Sequence, residues 1–363
     1  MKGIIETLAG VFEGRGGGWQ GLRLAHLSTL PQGTVNPEAP GLGIGAWREP
    51  LVLSGAGRGG GSGEDRGGGG KDAYHIPVLA DEVVHFLEPG PDKLIVDGTL
   101  GGGGHTRRLL ERGASVLGLD QDAEAIEHVS RALGGEAYFD KLAMVRCNFR
   151  EFPSILEASG VVGVDGILVD LGVSSHQLDE SERGFSFQSD GPLDMRMDGA
   201  AELTAADLVN GLEEAPLADL FYEYGEERAS RRIAKAVVEA RRLRRIETTL
   251  ELARVVESVL PRRGKSHPAT KVFQALRIVV NDELGALREM LESSVKWLRP
   301  GGRLAVITFH SLEDRMVKRF IRDRSAEWLD KPEWPEPKRN PDFSLKPVIR
   351  RALAPSPEEQ KRN

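Results

Sequence analysis

Residues 94–106 constrain the fold of this chain more than any other segment. An apolar run at residues 94–96 ends in Asp97, and the next seven positions contain five glycines. A second apolar run at residues 116–119 ends in Asp120. Glycines after a strand let the backbone approach a ligand, and an acid at the end of the next strand accepts hydrogen bonds from ribose hydroxyls. The segment therefore predicts a doubly wound α/β fold that binds a nucleoside-containing ligand.

The spacing of the glycines narrows the choice of ligand. The dinucleotide motif G-x-G-x-x-G places a pyrophosphate at a helix N-terminus, and no register of residues 98–105 matches it. A nicotinamide dinucleotide is therefore disfavoured. A cofactor with a ribose but no phosphate, such as S-adenosylmethionine, fits the loop better. The loop alone also leaves open a purely structural turn between a strand and a helix.

The charge and cysteine content exclude several classes of protein. A net charge of −7 argues against a wholly basic nucleic-acid coat protein, although a local basic patch can still bind phosphates. Cys147 is the only cysteine, which excludes an intrachain disulfide, and no Cys/His cluster has zinc spacing. No apolar run approaches the roughly 18 residues that span a bilayer, and the N-terminus has no secretory signal pattern. We therefore expect a cytoplasmic protein without a metal ion or membrane contacts.

Composition and periodicity divide the chain. Residues 1–70 hold nearly half of the 44 glycines and show no sustained periodicity, so we expect a disordered, glycine-rich extension. From residue 74 the pattern alternates between strand and helix, which predicts a parallel sheet covered on both faces. The predicted strands are 93–97, 115–120, 143–147, 166–170 and 303–308.

The stretch between the fourth and fifth predicted strands is different. Residues 203–271 contain no strand pattern and at least three helical stretches, which predicts a helical insertion. Its place after the fourth strand puts it over the crevice where open parallel sheets bind ligands. We therefore predict a discontinuous α/β domain from residues 71–180 and 272–363. Residues 181–271 would form a substrate loop and an all-helical insertion domain.

Two segments of this insertion are candidates for substrate contacts. Residues 183–198 combine charges, aromatics and methionines, which favours an ordered loop that faces the substrate. A loop that packs the insertion onto the sheet would have the same composition. Residues 228–245 contain eight basic side chains and one acid, which favours phosphate contact over a solvated helix face. The candidate substrate residues here are Asp194, Arg196, Arg231 and Arg232.

Polar residues also follow the fourth and fifth predicted strands, at the edge where such sheets bind substrates. Asp170 and the small residues 171–175 can form the floor of a pocket, although a tight polar turn explains them as well. His310 can contact a base, orient a water or serve as a structural hydrogen-bonding residue. Hydrolysis by a Ser-His-Asp triad is poorly supported because no G-x-S-x-G motif occurs.

Several long motifs occur in the order expected of one known family. They lie at residues 74–79, 97–105, 170–175, 183–198, 267–278 and 309–318. Together they resemble the MraW-type 16S ribosomal RNA cytosine-N4 methyltransferases over roughly residues 74–320. The resemblance implies a class I, Rossmann-like methyltransferase fold with an inserted all-helical domain and with S-adenosylmethionine as methyl donor.

The resemblance also implies which residues hold the cofactor. Asp120 would bind the ribose, and Phe149 would lie against the adenine. Asp170 and Gln177 would complete the pocket beyond the fourth strand. Neither Phe149 nor Gln177 stands out without the resemblance. The implied cofactor residues are Gly103, Gly104, His105, Asp120, Phe149, Asp170 and Gln177.

Three features depart from the family pattern. The family has no counterpart to residues 1–70, and His176 stands where a proline is usual, which is expected to alter the turn before Gln177. The chain also stops at Arg362-Asn363, where the family continues into a basic tail rich in proline, arginine and serine. We expect the loss of that tail to weaken RNA binding.

The implied reaction is attack by the exocyclic N4 of a specific cytidine on the sulfonium methyl group. The substrate would be 16S rRNA in the small ribosomal subunit, whose target base must leave its stack to enter the crevice. A non-catalytic RNA-binding assembly factor that uses the cofactor structurally stays open. A DNA amino-methyltransferase is disfavoured because no Asp/Asn-Pro-Pro-aromatic motif follows the fourth strand. The sequence does not identify the target nucleotide, and a homodimer stays open.

Overall fold

The computed structural model of the chain describes Arg23–Leu27, residues 77–262, residues 266–356 and Glu359. Within these ranges, none of the helices is both long and apolar enough to cross a bilayer. The strands are β1 (Arg23–Leu27), β2 (Leu94–Asp97), β3 (Ser115–Asp120), β4 (Leu142–Arg146), β5 (Val164–Asp170), β6 (Leu298–Ile307), β7 (Trp328–Leu329), β8 (Lys338–Arg339) and β9 (Leu345–Pro347). The helices are α1 (Ala80–Leu87), α2 (Gly104–Glu111), α3 (Ala123–Leu133), α4 (Phe152–Ala158), α5 (Ser175–Asp179), α6 (Ala205–Gly211), α7 (Glu214–Glu223), α8 (Ser230–Leu243), α9 (Thr249–Val259), α10 (Thr270–Val280), α11 (Glu283–Trp297) and α12 (Ser311–Ser325).

Seven strands form the main sheet in the order β4-β3-β2-β5-β6-β1-β9. The five strands from β2 to β6 pair with one another in parallel. The chain runs outward from β2 to β4 and then crosses back over β2 to place β5 on its other side. The expected parallel sheet is confirmed. The reversal between β2 and β5 is a switch point, where such sheets open a crevice at the carboxyl ends of their strands.

Strand β1 corrects the prediction that residues 1–70 are disordered throughout. Arg23–Leu27 pairs antiparallel with β6 on one side and with β9 on the other. Local periodicity does not predict this strand, because its partners are two strand edges that lie near the other end of the chain. The rest of the predicted extension lies outside the described residues, as do residues 74–76 of the first motif and the final residues 360–363.

Helices cover both faces of the main sheet. Helices α1, α2 and α3 pack on one face around buried residues such as Leu109 and Val129. Helices α4, α11 and α12 pack on the other face around residues such as Phe152 and Leu287. Strand β5 is buried on both sides, which explains why residues 167–169 form a continuous apolar run instead of alternating. Buried apolar residues of α11, spaced three or four positions apart, form a stripe that faces the sheet.

The insertion between β5 and β6 has a core of its own. In the described part of this stretch the regular elements are helical, and α6 to α10 enclose a separate apolar cluster around residues such as Phe221 and Ile233. Helix α10 contributes Phe273 to that cluster and Ile278 to the cluster beneath the sheet, so it joins the two. The predicted boundary at residues 271 and 272 falls at the start of this helix, and the division into domains stays a prediction.

Candidate cofactor and substrate site

A cavity of about 470 Å³ opens at the carboxyl ends of β2 to β6, at the switch point of the sheet. Its volume lies in the usual range for small-molecule sites, roughly 300–1,000 Å³. Helices α5, α10 and α11 complete its wall. Among the described residues, Gly103 is the one predicted cofactor residue that does not line it. The predicted residues that do are Gly104, His105, Asp120, Phe149, Asp170 and Gln177.

The two glycines at the start of α2 have different surroundings. Gly103 has a φ of 74° and immediately precedes the helix, and a Cβ there would lie 2.9 Å from Val129 on α3. Its missing side chain therefore lets α2 and α3 pack closely. A Cβ on Gly104 would lie 2.9 Å from Pro77, which lines the cavity as well. Gly104 therefore allows two parts of the cavity wall to meet.

Asp120, at the end of β3, accepts backbone hydrogen bonds with both carboxylate oxygens. Its Oδ2 accepts from the Gly101 N–H at 2.8 Å, and its Oδ1 accepts from the Asp122 N–H at 2.9 Å. The carboxylate thus holds the glycine loop, and each oxygen keeps a second lone pair for a ligand. Burial raises the pKa of Asp120 to about 6, because desolvation penalises the charged form. Ribose hydroxyls that donate to the carboxylate would favour its ionised form.

A second buried carboxylate, Asp97, supports the loop from the end of β2. Its Oδ2 accepts from the Thr106 hydroxyl at 2.7 Å and its Oδ1 from the Thr99 N–H at 3.2 Å. Burial raises the pKa of Asp97 to about 6. Because its bonds go to the loop and to α2, Asp97 connects the end of the strand to the first turn of the helix.

His105 and Asp170 carry polar atoms that lack partners within the described chain. His105 Nε2 lies 3.4 Å from Asp170 Oδ2, which is long for a hydrogen bond. Both ring nitrogens of His105 and Oδ1 of Asp170 are buried without a hydrogen-bond partner among the described residues. Each such group costs about 1–3 kcal/mol when it stays unpaired, so a polar ligand is expected to pair with them.

Gln177 already has partners for both ends of its amide. Its Oε1 accepts from the Ser174 N–H at 3.1 Å, and its Nε2 donates to Asp122 Oδ2 at 2.8 Å. The Ser174 hydroxyl in turn accepts from the Gln177 N–H, which caps α5. His176 leaves this cap intact, and its Nε2 lies 3.0 Å from Glu124 Oε2. Gln177 therefore lines the cavity and supports its wall through Asp122.

Phe149 lies in a single 3₁₀ turn, Phe149–Glu151, that follows β4. The ring is partly buried against the apolar cluster of the sheet and lines the cavity. A Cβ at Gly98 would lie 3.0 Å from the Phe149 Cβ, so the first glycine of the loop makes room for this aromatic residue. The position suits an aromatic wall for the adenine that the family resemblance implies.

The substrate candidates Asp194 and Arg196 bind each other. Three hydrogen bonds join them: Arg196 Nε and the Arg196 N–H donate to Asp194 Oδ1 at 2.8 and 3.0 Å, and Arg196 Nη2 donates to Asp194 Oδ2 at 2.6 Å. Arg196 Nη1 also donates to the carbonyl of Ala201 at 2.6 Å. Neither residue is among the described residues that line the cavity. The pair holds the loop, and its predicted contact with substrate stays a prediction.

Sequence reasoning missed Asn281, which ties the same loop to the sheet domain. The Asn281 Nδ2 donates to the carbonyl of Met195 at 2.8 Å, and its Oδ1 accepts from the Met197 N–H at 2.7 Å. Both Asn281 and Met197 line the cavity. One amide thus places an apolar side chain of the substrate loop at the cavity wall. No sequence pattern signals this bond, because its partners lie more than 80 positions apart.

His310 lies in a charged cluster beside the cavity. Its Nε2 lies 3.0 Å from Glu313 Oε1, and Arg277 forms a two-point ion pair with Glu283 at 2.7 and 2.9 Å. Burial alone would raise the pKa of Glu313, but His310 and Arg277 hold it below its ordinary value. Arg277 and Glu283 line the cavity, although sequence reasoning did not select them.

The same cluster has the spacing of a possible cation site. Potential ligand atoms of Glu283, His310 and Glu313 lie within 4.8 Å of one another. The guanidinium of Arg277 already supplies positive charge to Glu283 in this cluster. The expectation that the protein works without a metal ion stays a prediction.

Most basic side chains on or beside α8 are exposed, and some of the basic residues also bind another part of the insertion. Arg241 Nη1 donates to the carbonyl of Val209 at 2.6 Å, and Arg245 pairs with Asp207 at 3.3 Å. Positions 231, 235 and 242 are separated by four and eleven residues, so they share one helix face. The exposed basic residues on or beside α8 are Arg228, Arg231, Arg232, Lys235, Arg242, Arg244 and Arg245.

The residues of the cavity fit S-adenosylmethionine. Asp120 offers a carboxylate for a ribose diol, Phe149 offers an aromatic wall, and His105 offers unpaired ring nitrogens. The parallel sheet, its switch point and this donor set define a class I, Rossmann-like methyltransferase.

Comparison with known proteins identifies the family. The model of the MraW methylase family matches residues 72–363, and the chain belongs to that family. The expectation of S-adenosylmethionine as the cofactor is confirmed by this membership.

Curated relatives agree with the family match. Ribosomal RNA small subunit methyltransferase H of Deinococcus radiodurans is 55% identical over 248 residues, 68% of this chain and 78% of the relative. The protein of the same name from Deinococcus deserti is 50% identical over 79% of this chain and 88% of its own length. That of Paramagnetospirillum magneticum is 49% identical over 80% of this chain and 91% of its own length.

Proposed function

We propose that this chain transfers a methyl group from S-adenosylmethionine to the exocyclic N4 of a cytidine in 16S rRNA of the small ribosomal subunit. The observation that carries the proposal is the unpaired Oδ1 of Asp170, which lies at the cavity beside His105. An acceptor in that place suits an amino group that must be oriented before it reacts. The names of the relatives, all rRNA small subunit methyltransferases, support an rRNA substrate.

The chemistry requires orientation more than activation. The bound cofactor supplies a methyl group on a positively charged sulfur. The lone pair of a cytosine N4 is delocalised into the ring, so the protein has to favour a more tetrahedral nitrogen. Asp170 would accept a hydrogen bond from N4–H, direct the lone pair and take up the proton that N4 loses. Positioning of this kind is expected to supply most of the rate.

The insertion would hold the RNA. The exposed stripe of Arg231, Lys235 and Arg242 on α8 suits successive phosphates of a single strand. The target base has to leave its stack to reach the cavity, and phosphate contacts on either side would hold the strand while it does so.

A methyl-transfer assay tests the proposal. Purified protein is incubated with labelled S-adenosylmethionine and with small ribosomal subunits from cells that lack it, and the rRNA is digested for mass analysis. We expect N4-methylcytidine at one position, and Asp170→Asn should lower its rate of formation about 100-fold. Label on another nucleoside would contradict the assignment of N4. RNA binding without any methyl transfer would support the assembly-factor alternative instead.

A further inference from the structure

Phe309 is a large apolar side chain that stays about half exposed at the cavity wall. It follows β6, lines the cavity and has an exposed fraction of 47%. A single exposed apolar residue is common on protein surfaces. Leu178 on α5, however, is 45% exposed and lines the same cavity. Two large apolar side chains therefore present uncovered surface to one site.

The backbone that carries Phe309 is fixed by a buried acid. The N–H groups of Phe309 and His310 both donate to Glu313 Oε2, at 2.8 and 3.2 Å. Glu313 is itself buried and lies beside His310. The aromatic ring lies against Gly172, where an added Cβ would be 3.4 Å from Phe309 Cδ2. The backbone beneath the ring is thus held in place, which lowers the cost of ordering this surface when a flat ligand binds.

The register of the sheet places this ring beside the proposed acceptor. Asp170 of β5 is paired with Ile307 of β6, and the Leu171 N–H donates to the Ile307 carbonyl at 3.1 Å. Phe309 lies two residues beyond Ile307, and Gly172, which it contacts, lies two residues beyond Asp170. The aromatic face and the carboxylate therefore occupy the ends of adjacent strands at the same cavity.

We infer that Phe309 is the residue on which the target cytosine stacks while Asp170 holds its amino group. The inference rests on the proposed function and names the side chain that positions the base. Aromatic side chains commonly hold unstacked bases. Glu313 positions the ring, because its carboxylate accepts the backbone hydrogen bonds of Phe309 and His310. Leu178 adds apolar surface to the same cavity.

Phe309→Leu tests the inference, because leucine keeps the apolar bulk but removes the aromatic face. We expect the KM for small-subunit rRNA to rise roughly 10-fold or more, while Phe309→Tyr stays near wild type. Affinity for S-adenosylmethionine, measured by calorimetry, should not change. Trp328→Leu is the matched control, since Trp328 is also exposed but does not line the cavity among the described residues. Phe309→Met serves as a second variant should the leucine variant not fold.

A measurement without turnover separates this inference from the proposed function. Saturation-transfer NMR with free cytidine as the probe should show transfer to the ring protons of cytidine with the wild-type protein. Phe309→Leu should remove that transfer. If Phe309→Leu loses the transfer but the wild-type protein methylates no RNA, the contact with the base is supported and the methyltransferase proposal is contradicted. If Phe309→Leu methylates RNA with an unchanged KM, the inference about Phe309 is overturned and the proposed function is not. If the wild-type protein shows neither the NMR transfer nor RNA methylation, the inference and the proposed function are both overturned.

Discussion

Arg183 Nη1 lies 2.8 Å from Asp122 Oδ2, and this ion pair joins the loop that leads into the helical insertion to the end of β3. The same carboxylate accepts from Gln177, and the Asp122 N–H donates to Asp120. The second nitrogen of Arg183, Nη2, donates to the carbonyls of residues 196 and 197 in the loop. One arginine thus connects the proposed ribose-binding edge to the substrate loop.

Replacing Arg183 should therefore affect substrate use more than cofactor binding. Arg183→Met leaves the nearly buried Asp122 without its cation, and we expect a loss of about 2 kcal/mol in the free energy of unfolding. rRNA methylation should fall further than the affinity for S-adenosylmethionine, because the loop loses its bond to β3. Urea unfolding, calorimetry and steady-state kinetics measure the three effects. Arg108→Met, which removes an exposed pair with Asp81, should change stability by less than about 0.5 kcal/mol.

Asp120→Asn should weaken binding of S-adenosylmethionine about 10-fold to 100-fold. The amide removes the charge that would accept the ribose bonds, and one end of it becomes a donor that faces a backbone N–H. Isothermal calorimetry on the folded variant measures the change. Asp219→Asn, an exposed site on α7, is the control. If Asp120→Asn binds S-adenosylmethionine with wild-type affinity, the assignment of Asp120 to the cofactor site is contradicted.

Cofactor binding should release a proton in mildly acidic solution. Burial raises the pKa of Asp120 to about 6, so below that pH the carboxyl is mostly protonated in the free protein. Ribose hydroxyls donate to the ionised form, which lowers the pKa in the complex. Affinity should therefore weaken as the pH falls through about 6. Calorimetry at pH 5.5 in buffers of different ionisation enthalpy should detect the proton, and Asp120→Asn should abolish it. An affinity that is constant from pH 5 to 8 would contradict this assignment.

The raised pKa values give the stability of the free protein the opposite pH dependence from cofactor affinity, because stability falls as the pH rises. Asp97 and Asp120 both have a folded-state pKa near 6, above the ordinary value of 3.8. The folded state therefore binds more protons than the unfolded state between about pH 4 and 6. The contribution of these two groups to the free energy of unfolding is greatest at low pH and falls as the pH rises through that window.

Charge reversal on α8 should weaken RNA binding and flatten its dependence on salt. Arg231→Glu, Lys235→Glu and Arg242→Glu together remove the three exposed cations of the stripe on α8. The slope of log affinity against log salt should become shallower by about 2, since each lost phosphate contact accounts for about 0.7–0.9. Filter binding across a salt series measures this slope. The control reverses three exposed cations elsewhere in the described chain, Arg112, Arg131 and Lys141. An equal change of the salt slope in the control would show that net charge alone explains the result.

Much of the fold was predictable because its signals are local. Residues 94–97 and 115–120 form strands within one residue of the predicted bounds, and the glycine loop follows where expected. The apolar stripe of α11 and the helical character of the insertion also come from neighbouring residues. Strand β1 was not predictable, because it depends on free edges of β6 and β9.

The residues of the candidate site also include some that the sequence predicts and some that it does not. Asp120 and Asp170 were selected because each ends a predicted strand, whereas His105 was implied by the family resemblance. The bond between Asp194 and Arg196, the role of Gly103 in helix packing and the contribution of Asn281 were not predictable. Each depends on which side chain a folded neighbour presents, and the sequence holds no period that encodes it.

The sequence by itself determined the alternation of strands and helices from β2 to β6, the class of cofactor and the strand ends at which the candidate site lies. These follow from periodicity, from glycine's backbone freedom and from carboxylates placed after apolar runs, all of which act over a few residues. Only the tertiary structure decided that Arg183 links the insertion to β3, that Phe309 stays exposed beside Asp170, and that β1 completes the sheet. Those arrangements join residues from distant parts of the chain, and their stability comes from desolvation and hydrogen bonds that exist only after folding.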